Sequence, residues 1–237
     1  MTRKHLSVLI LCSVVAFVVA CTSNEIGNSK DVNPEAVYLD YEVLSGENSE
    51  EVTVNLQFRM GGANGTTLVL DEPSKVTLDG EQLSLDSAKL MGAYYEIQKN
   101  RTTFNGKHII TFTDLNGKEF QEEFEFSPFT MDPDVPATLT RGDLVFNFKG
   151  LEPVEYITVL MTDTSFGSSD INELDTVRDG KLVIKADRLN TVVNGPINLQ
   201  FYREITRRLK NGTKEGGRIL LTYTLKREFE LKDAFEQ

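Results

Sequence analysis

The chain has 237 residues, with 25 Lys and Arg against 36 Asp and Glu, a formal charge of −11, two His, two Cys and no Trp. That acidic balance argues against a nucleic-acid partner, because phosphate binding needs a net basic surface. The length admits one large domain or two small ones, and a hydrophobic content of 40% is enough to build cores.

In chain order, the first feature is a basic start (Arg3, Lys4, His5) followed by the apolar run Leu6 to Ala20, broken only by Ser7 and Ser13. The run is too short for a membrane span, which needs about 20 apolar residues, and reads as an export signal over residues 1–20. It stops at Val18-Val19-Ala20-Cys21 before polar Thr22-Ser23-Asn24. This phrase resembles the lipobox of bacterial lipoproteins, with Val18 and Val19 standing where Leu and then Ala or Ser are commonest. The resemblance implies cleavage before Cys21 and acylation of its sulfur. Cys12 leaves with the signal, so Cys21 is the one cysteine left and can form no internal disulfide. Two or more acyl chains give stable anchoring at about 0.8 kcal/mol per buried methylene. By the same resemblance, Thr22 rather than Asp after the cysteine implies export to the outer membrane, on either its periplasmic or its exterior face.

Residues 21–36 are polar and read as the acylated cysteine followed by a flexible tether. After them the dominant signal is period two. Val52, Val54, Leu56, Phe58 and Met60 alternate with Thr53, Asn55, Gln57 and Arg59. Ile197, Leu199 and Phe201 form a second such series, and Ile219, Leu221, Tyr223 and Leu225 a third that continues to Phe229 and Leu231. Such alternation puts one face on a core and the other in water. Turn pairs separate the runs: Asp79-Gly80, Asn105-Gly106, Asn116-Gly117, Asp179-Gly180, Asn194-Gly195 and Asn211-Gly212. These pairs tolerate the positive φ that tight hairpins require. The fold class is therefore all-β, with antiparallel sandwiches or a barrel as its architecture.

Between Phe126 and Arg141 the alternation stops, and Pro128, Pro133 and Pro136 fall close together. We read residues 128–140 as a stiff linker between two β-sandwich domains of immunoglobulin size, 37–127 and 141–237. The two pieces end alike, each with two Asn-Gly pairs and a closing Phe-Glu-Phe or Phe-Glu-Leu strand, which suggests tandem copies. Leu199, Tyr202, Ile205 and Leu209 also fit helical spacing, but Gly195-Pro196 before them and a long strand partner after them favour a strand. Asp187 to Val193 reads as a single helical turn.

Candidates for chemistry are few. His108 is the one histidine beyond the leader and falls in a strand, where packing explains it better than nucleophilic catalysis; Gly-x-Ser-x-Gly elbows and zinc spacings are missing. Glu122, Glu123 and Glu125 alternate with phenylalanines and read as a wet strand face, although a carboxylate-based hydrolase is not decided by counting. Asp163, Ser165, Asp170, Asn172, Glu173 and Asp175 suggest oxygen ligands for Ca2+, but their offsets miss the helix–loop–helix pattern, so a solvated loop is expected and no cofactor is assigned. The departure from the acidic background lies between Phe201 and Arg227, where Arg203, Arg207, Arg208, Lys210, Lys214, Arg218, Lys226 and Arg227 face only Glu204 and Glu215. Two readings of this hairpin stand open. It meets an acidic envelope protein, an anionic glycan or lipid phosphates, or it offsets acidic neighbours within its own fold. Tyr94 and Tyr95 are the one adjacent tyrosine pair, and one of them would face out to stack on a sugar ring.

These features together resemble the cell-envelope lipoproteins with immunoglobulin-like domains of Bacteroidota. The likeness rests on Val18-Val19-Ala20-Cys21, the texture of two sandwiches and the run from Gly180 through Lys181-Leu182-Val183-Ile184-Lys185-Ala186-Asp187-Arg188 to Leu189. It implies a non-enzymatic role beside glycan-uptake complexes, adhesins or surface assemblies, with glycan binding as the alternative to protein assembly. It also implies sugar attachment at Asp-Ser/Thr motifs, here Ser87 and Thr176.

Overall fold

A computed structural model describes residues 26–88, 91–164 and 170–233. The strands are β1 (Ile26–Asn28), β2 (Val37–Gly46), β3 (Glu51–Met60), β4 (Thr66–Val69), β5 (Lys75–Leu78) and β6 (Glu81–Gln82). They continue with β7 (Ser84–Ala88), β8 (Gly92–Asn100), β9 (Gly106–Thr113), β10 (Glu119–Phe126), β11 (Thr130–Met131) and β12 (Thr138–Thr140). The last are β13 (Leu144–Lys149), β14 (Val154–Asp163), β15 (Ile171–Arg178), β16 (Lys181–Ile184), β17 (Gly195–Arg208) and β18 (Gly217–Lys232). Helical structure among the described residues is confined to short 3-10 turns, of which Ala186–Thr191 is the turn expected after Lys185. The protein is all-β.

Alternation explains the strands directly. In β10, Phe120, Phe124 and Phe126 are buried while Glu119, Gln121, Glu123 and Glu125 face water. The segment with two possible periods, 195–208, is strand β17, because its partner β18 supplies a ladder from Gly195–Leu231 to Arg208–Arg218. At Asp79-Gly80 and Asp179-Gly180 both residues have positive φ (50° and 85°, 50° and 74°), the geometry of a tight primed turn.

Strands β10-β9-β5-β6 form one sheet, and it packs on the inner faces of β8, β3 and β2, with Phe58 and Phe112 in contact at 4.7 Å between ring centres. In the second half, β14 and β17 pack on β13, where Phe146 and Phe148 meet Phe201 at 5.2 and 5.0 Å. β15 and β16 share only the Arg178–Lys181 pair, so the large sheet folds over there and closes a second sandwich.

The long hairpin β17–β18 joins the two halves. Its base pairs β17 with β14, while the outer half of β18 leaves for the first half and runs parallel to β2, from Gly217–Leu39 to Thr224–Gly46. Ile219 and Tyr223 are thereby buried in the first half, and Leu225, Phe229 and Leu231 in the second. Tyr223 lies edge-on to both Phe126 and Phe129, so the buried apolar residues form one continuous cluster. The expected antiparallel pairing thus has three exceptions, since β1–β4 and β12–β18 are parallel as well. The tandem likeness stops at the hairpins: β9–β10 has eight residues per strand, whereas β17 and β18 have fourteen and sixteen.

Two expectations are corrected. Residues 26–36, read as tether, are built into the body: β1 pairs with β4, the Ser29 hydroxyl accepts from the Asp71 amide at 2.8 Å, and Glu35 accepts from Lys118 Nζ at 2.7 Å. Polar composition misled here because Ser29, Asn33 and Glu35 spend their side chains on backbone groups, while Asn28, Lys30 and Asp31 still face water. Residues 128–140, read as linker, carry β11 and β12 and bury Phe129 completely. Proline ends the alternation without releasing the chain, because β12 needs only one partner edge. Cys21 and Ser165 lie outside the described residues.

Because β18 contributes to both halves, urea unfolding followed by far-UV dichroism and by tyrosine fluorescence is expected to give one coincident transition. Ile219→Ala should lower its stability by about 2–4 kcal/mol through the cavity it leaves.

Candidate functional site

The cations of the hairpin are placed by β17, β18 and the loop between them, and four of the eight are spent on the fold. Arg203 donates from Nη2 to Glu155 at 2.9 Å and from Nη1 to the Ser127 carbonyl at 3.0 Å. Arg207 bonds Glu122 and, at 2.7 Å, the Glu123 carbonyl. Arg218 donates to Asp40 at 2.7 Å and approaches Glu42 at 3.7 Å. Arg227 bridges Glu47 and Asp134. The backbone N–H groups of Lys210 and Lys214 donate to Glu122 and Glu35 at 2.7 and 3.2 Å. The guanidinium of Arg208 and the ammonium groups of Lys210, Lys214 and Lys226 make no hydrogen bond or ion pair among the described residues, spread between the hairpin tip and its middle. The internal offset accounts for Arg203, Arg207, Arg218 and Arg227.

The deepest of these pairs is Glu122–Arg207. Glu122 does not lie on the wet face expected for it with Glu123 and Glu125: it stands in phase with Phe120 and Phe124, is 1% exposed and points between the sheets from β10, so Arg207 closes that flank of the sandwich. Asn211 adds a bond from Nδ2 to the Gln121 carbonyl at 3.1 Å. A buried carboxylate without its cation is costly, so Arg207→Ala should destabilise the protein by about 3 kcal/mol in urea, whereas the apolar pair Glu122→Leu with Arg207→Met should recover most of the loss.

The tyrosine pair divides as alternation requires. Tyr95 is buried, and its phenol oxygen accepts from the Leu70 amide at 2.8 Å, whereas Tyr94 faces outward beside Asp86. His108 is held on both nitrogens, Nδ1 to Asp79 at 2.7 Å and Nε2 to the Phe104 carbonyl at 2.9 Å, and stacks on Phe104. In the acidic stretch, Glu173 and Asp175 are taken by Arg188. Among the described residues no cluster of His, Cys, Asp and Glu has the makings of a metal site.

Sequence reasoning missed two surfaces. On the outer face of the large sheet, Tyr156 and Leu174 are 56% and 67% exposed and lie diagonally across the β14–β15 ladder, with Tyr202 on the same face across β14. Val154 and Tyr156 run in the phase opposite to Ile157, Val159 and Met161, a two-faced apolar pattern that would have revealed them. The second is a groove of about 520 Å3 at the flank between β7 and β5–β6. Leu70, Val76, Leu83 and Tyr95 make its floor, and Glu72, Lys75 and Gln82 its rim. Leu85 pairs with Tyr95 and so turns toward the interior, yet it remains 48% exposed because no described residue covers it. Ser74 lines the groove, and its buried hydroxyl has no hydrogen-bond partner among the described residues.

Several exposed carboxyls are held below their ordinary range. For Glu35 the cause is the Lys118 ammonium, for Asp71 and Asp134 the amides of Lys30 and Val135, and for Asp143 the Lys185 ammonium. Glu42 is pushed up by burial and by Asp40. For the first group the unfolded chain binds more protons, so their stabilisation is complete above about pH 4 and fades as the pH falls below it, with Glu42 acting in the opposite direction. The melting temperature is therefore expected to fall steeply only below about pH 4 in a series measured at fixed ionic strength.

No protein-family model and no curated protein matches the sequence. Among solved structures, the chain is similar to IG1 and IG2 of DIP-gamma, at 12% identity over 83% of this chain and 94% of that one, with a TM-score of 0.23. It is similar to fibronectin(III)-like modules of CbhA from Clostridium thermocellum, at 8% identity over 85% and 96%, with a TM-score of 0.24. It is similar also to SGBP-B of the Bacteroides ovatus mixed-linkage glucan utilization locus, solved with a mixed-linkage heptasaccharide, at 10% identity over 88% and 66%, with a TM-score of 0.21. Similarity at this level carries no information on ligand or partner.

Proposed function

We propose that this chain is a lipid-anchored, non-catalytic binding and assembly protein of the bacterial outer membrane. The observation that carries the binding role is the outward pair Tyr156 and Leu174, exposed apolar side chains set diagonally on one sheet face. The charged groups support a structural assignment, since the buried carboxylates Glu122 and Asp40 are taken by arginines and Asp114 by the amides of Asn116 and Lys118. The anchor reading rests on the leader and Cys21. With β1 beginning at Ile26, five residues at about 3.6 Å each keep the body within about 18 Å of an acylated Cys21.

The alternative, glycan binding, is favoured by Tyr156 and Tyr202 sharing that face, where a sugar ring would stack, with Thr158 between them in the ladder. Arg208 and Lys210, without partners among the described residues, are the remaining candidates for an anionic glycan or an acidic envelope protein.

Mass spectrometry of the protein extracted from native membranes is expected to find Cys21 N-terminal and acylated; an unmodified thiol removes the anchor. A photo-crosslinker at Tyr156 is expected to capture a discrete partner that Leu174→Asp abolishes, while quenching of tyrosine fluorescence by a neutral oligosaccharide would favour the glycan reading.

A further inference from the structure

The geometry points to the flank between β7 and β5–β6 as an acceptor for an extended peptide from a partner protein, which adds a strand beside β7 and lays alternate side chains in the groove. This inference deepens the reading of the chain as a binding protein and rests on it.

The two flanks of the first sandwich are unlike. One is closed by the hairpin through Arg207, Lys210 and Asn211, whereas at the other β7 pairs with β8 alone. The β7–β8 register alternates its hydrogen bonding, and two bonds show which residues face outward. The Ala93 amide donates to Thr67 Oγ1 on the far side, at 2.9 Å, and the amide of its pair mate Ser87 is taken by Asp86 Oδ1 at 2.6 Å. Leu85, two residues earlier, therefore turns its N–H and C=O away from β8, toward a side where β7 has no neighbouring strand among the described residues. Asp86 caps the Ser87 amide and so restricts an incoming strand to Leu85, which fixes its register.

The groove supplies what the side chains of such a strand need. Its floor is apolar, and among the described residues nothing covers the inward Leu85 and the buried Ser74 hydroxyl has no partner. Glu72 and Lys75 put uncommitted charges of both signs on the rim, in a protein whose other arginines are largely paired. The volume lies inside the range of about 300–1,000 Å3 found for binding clefts. A sugar fits less well, because Tyr95 is buried and presents no open ring face for stacking. An extended backbone meets the edge of β7 and the floor together, as in recognition by strand addition. The chain already completes its own sheets in this way, with β1, β12 and β18 each laid parallel along an edge.

The test uses the protein from residue 22 onward and fluorescein-labelled eight-residue peptides of alternating Val-Thr, Leu-Ser and Ile-Lys. Anisotropy should show saturable binding of at least one peptide, and NMR hydrogen exchange should show the Leu85 amide protected on binding. Leu85→Pro removes the outward N–H without touching the β8 ladder and should weaken binding by about ten-fold or more. Ser74→Ala guards against misfolding of that variant: it should leave the free protein as stable or more so, since an unpartnered hydroxyl is gone, while weakening the peptide. Failure of all three peptides to saturate, wild-type affinity in Leu85→Pro, or protection of the Leu85 amide by cellohexaose instead would overturn the proposal. The Tyr156 crosslink reads a different face, so a captured partner there with no peptide bound here would retain the binding role and remove only the groove.

Discussion

The parallel ladder between Gly217–Thr224 and Leu39–Gly46 is the constraint on which the rest of the structure depends. Without it β2 would be an open edge, Ile219 and Tyr223 would have no place to be buried, and the two sandwiches would be joined only through residues 128–140. With it, one strand of sixteen residues crosses both halves and its inward side chains stitch a single core. The segment 128–140 then needs no stiffness of its own, because Phe129 packs against Tyr223 and β12 pairs with the same strand.

The ladder also explains the charge distribution. A long hairpin that enters another sheet must be held by groups that reach past the backbone, and arginine does this with several donors in fixed geometry. Arg203, Arg207, Arg218 and Arg227 each meet a carboxylate far away in sequence, so the basic cluster is a set of fasteners matched to acids at 40, 47, 122, 134 and 155. Exposed pairs of this kind contribute about 0–1 kcal/mol each, but Glu122 and Asp40 are buried, and pairing there decides which strands the hairpin can sit against.

Much of the fold was legible in the sequence because its signals are local. Alternation located β3, β17 and β18, and Asp-Gly pairs marked turns whose positive φ only such residues adopt easily. The period of β17 was settled by its neighbours in sequence. What stayed hidden depends on pairing over long separations. Nothing near Ile219 states that it faces Tyr41 rather than a strand of its own half, and nothing near Ser29 states that its hydroxyl will cap Asp71. The tyrosine pair was read correctly as one in and one out, but which of them was inward depends on register. The groove was illegible for the same reason: Leu85 is an ordinary inward residue of β7, and only the folded flank leaves it uncovered.

The hairpin's reach has a kinetic side. The strand that finishes the first sheet is synthesised more than 170 positions after β2, so residues 37–127 emerge with an unfilled edge and wait for it. A topology with such distant contacts folds slowly and leaves an adhesive strand exposed meanwhile. A polypeptide built this way can finish its first sheet only after that distant strand has been delivered.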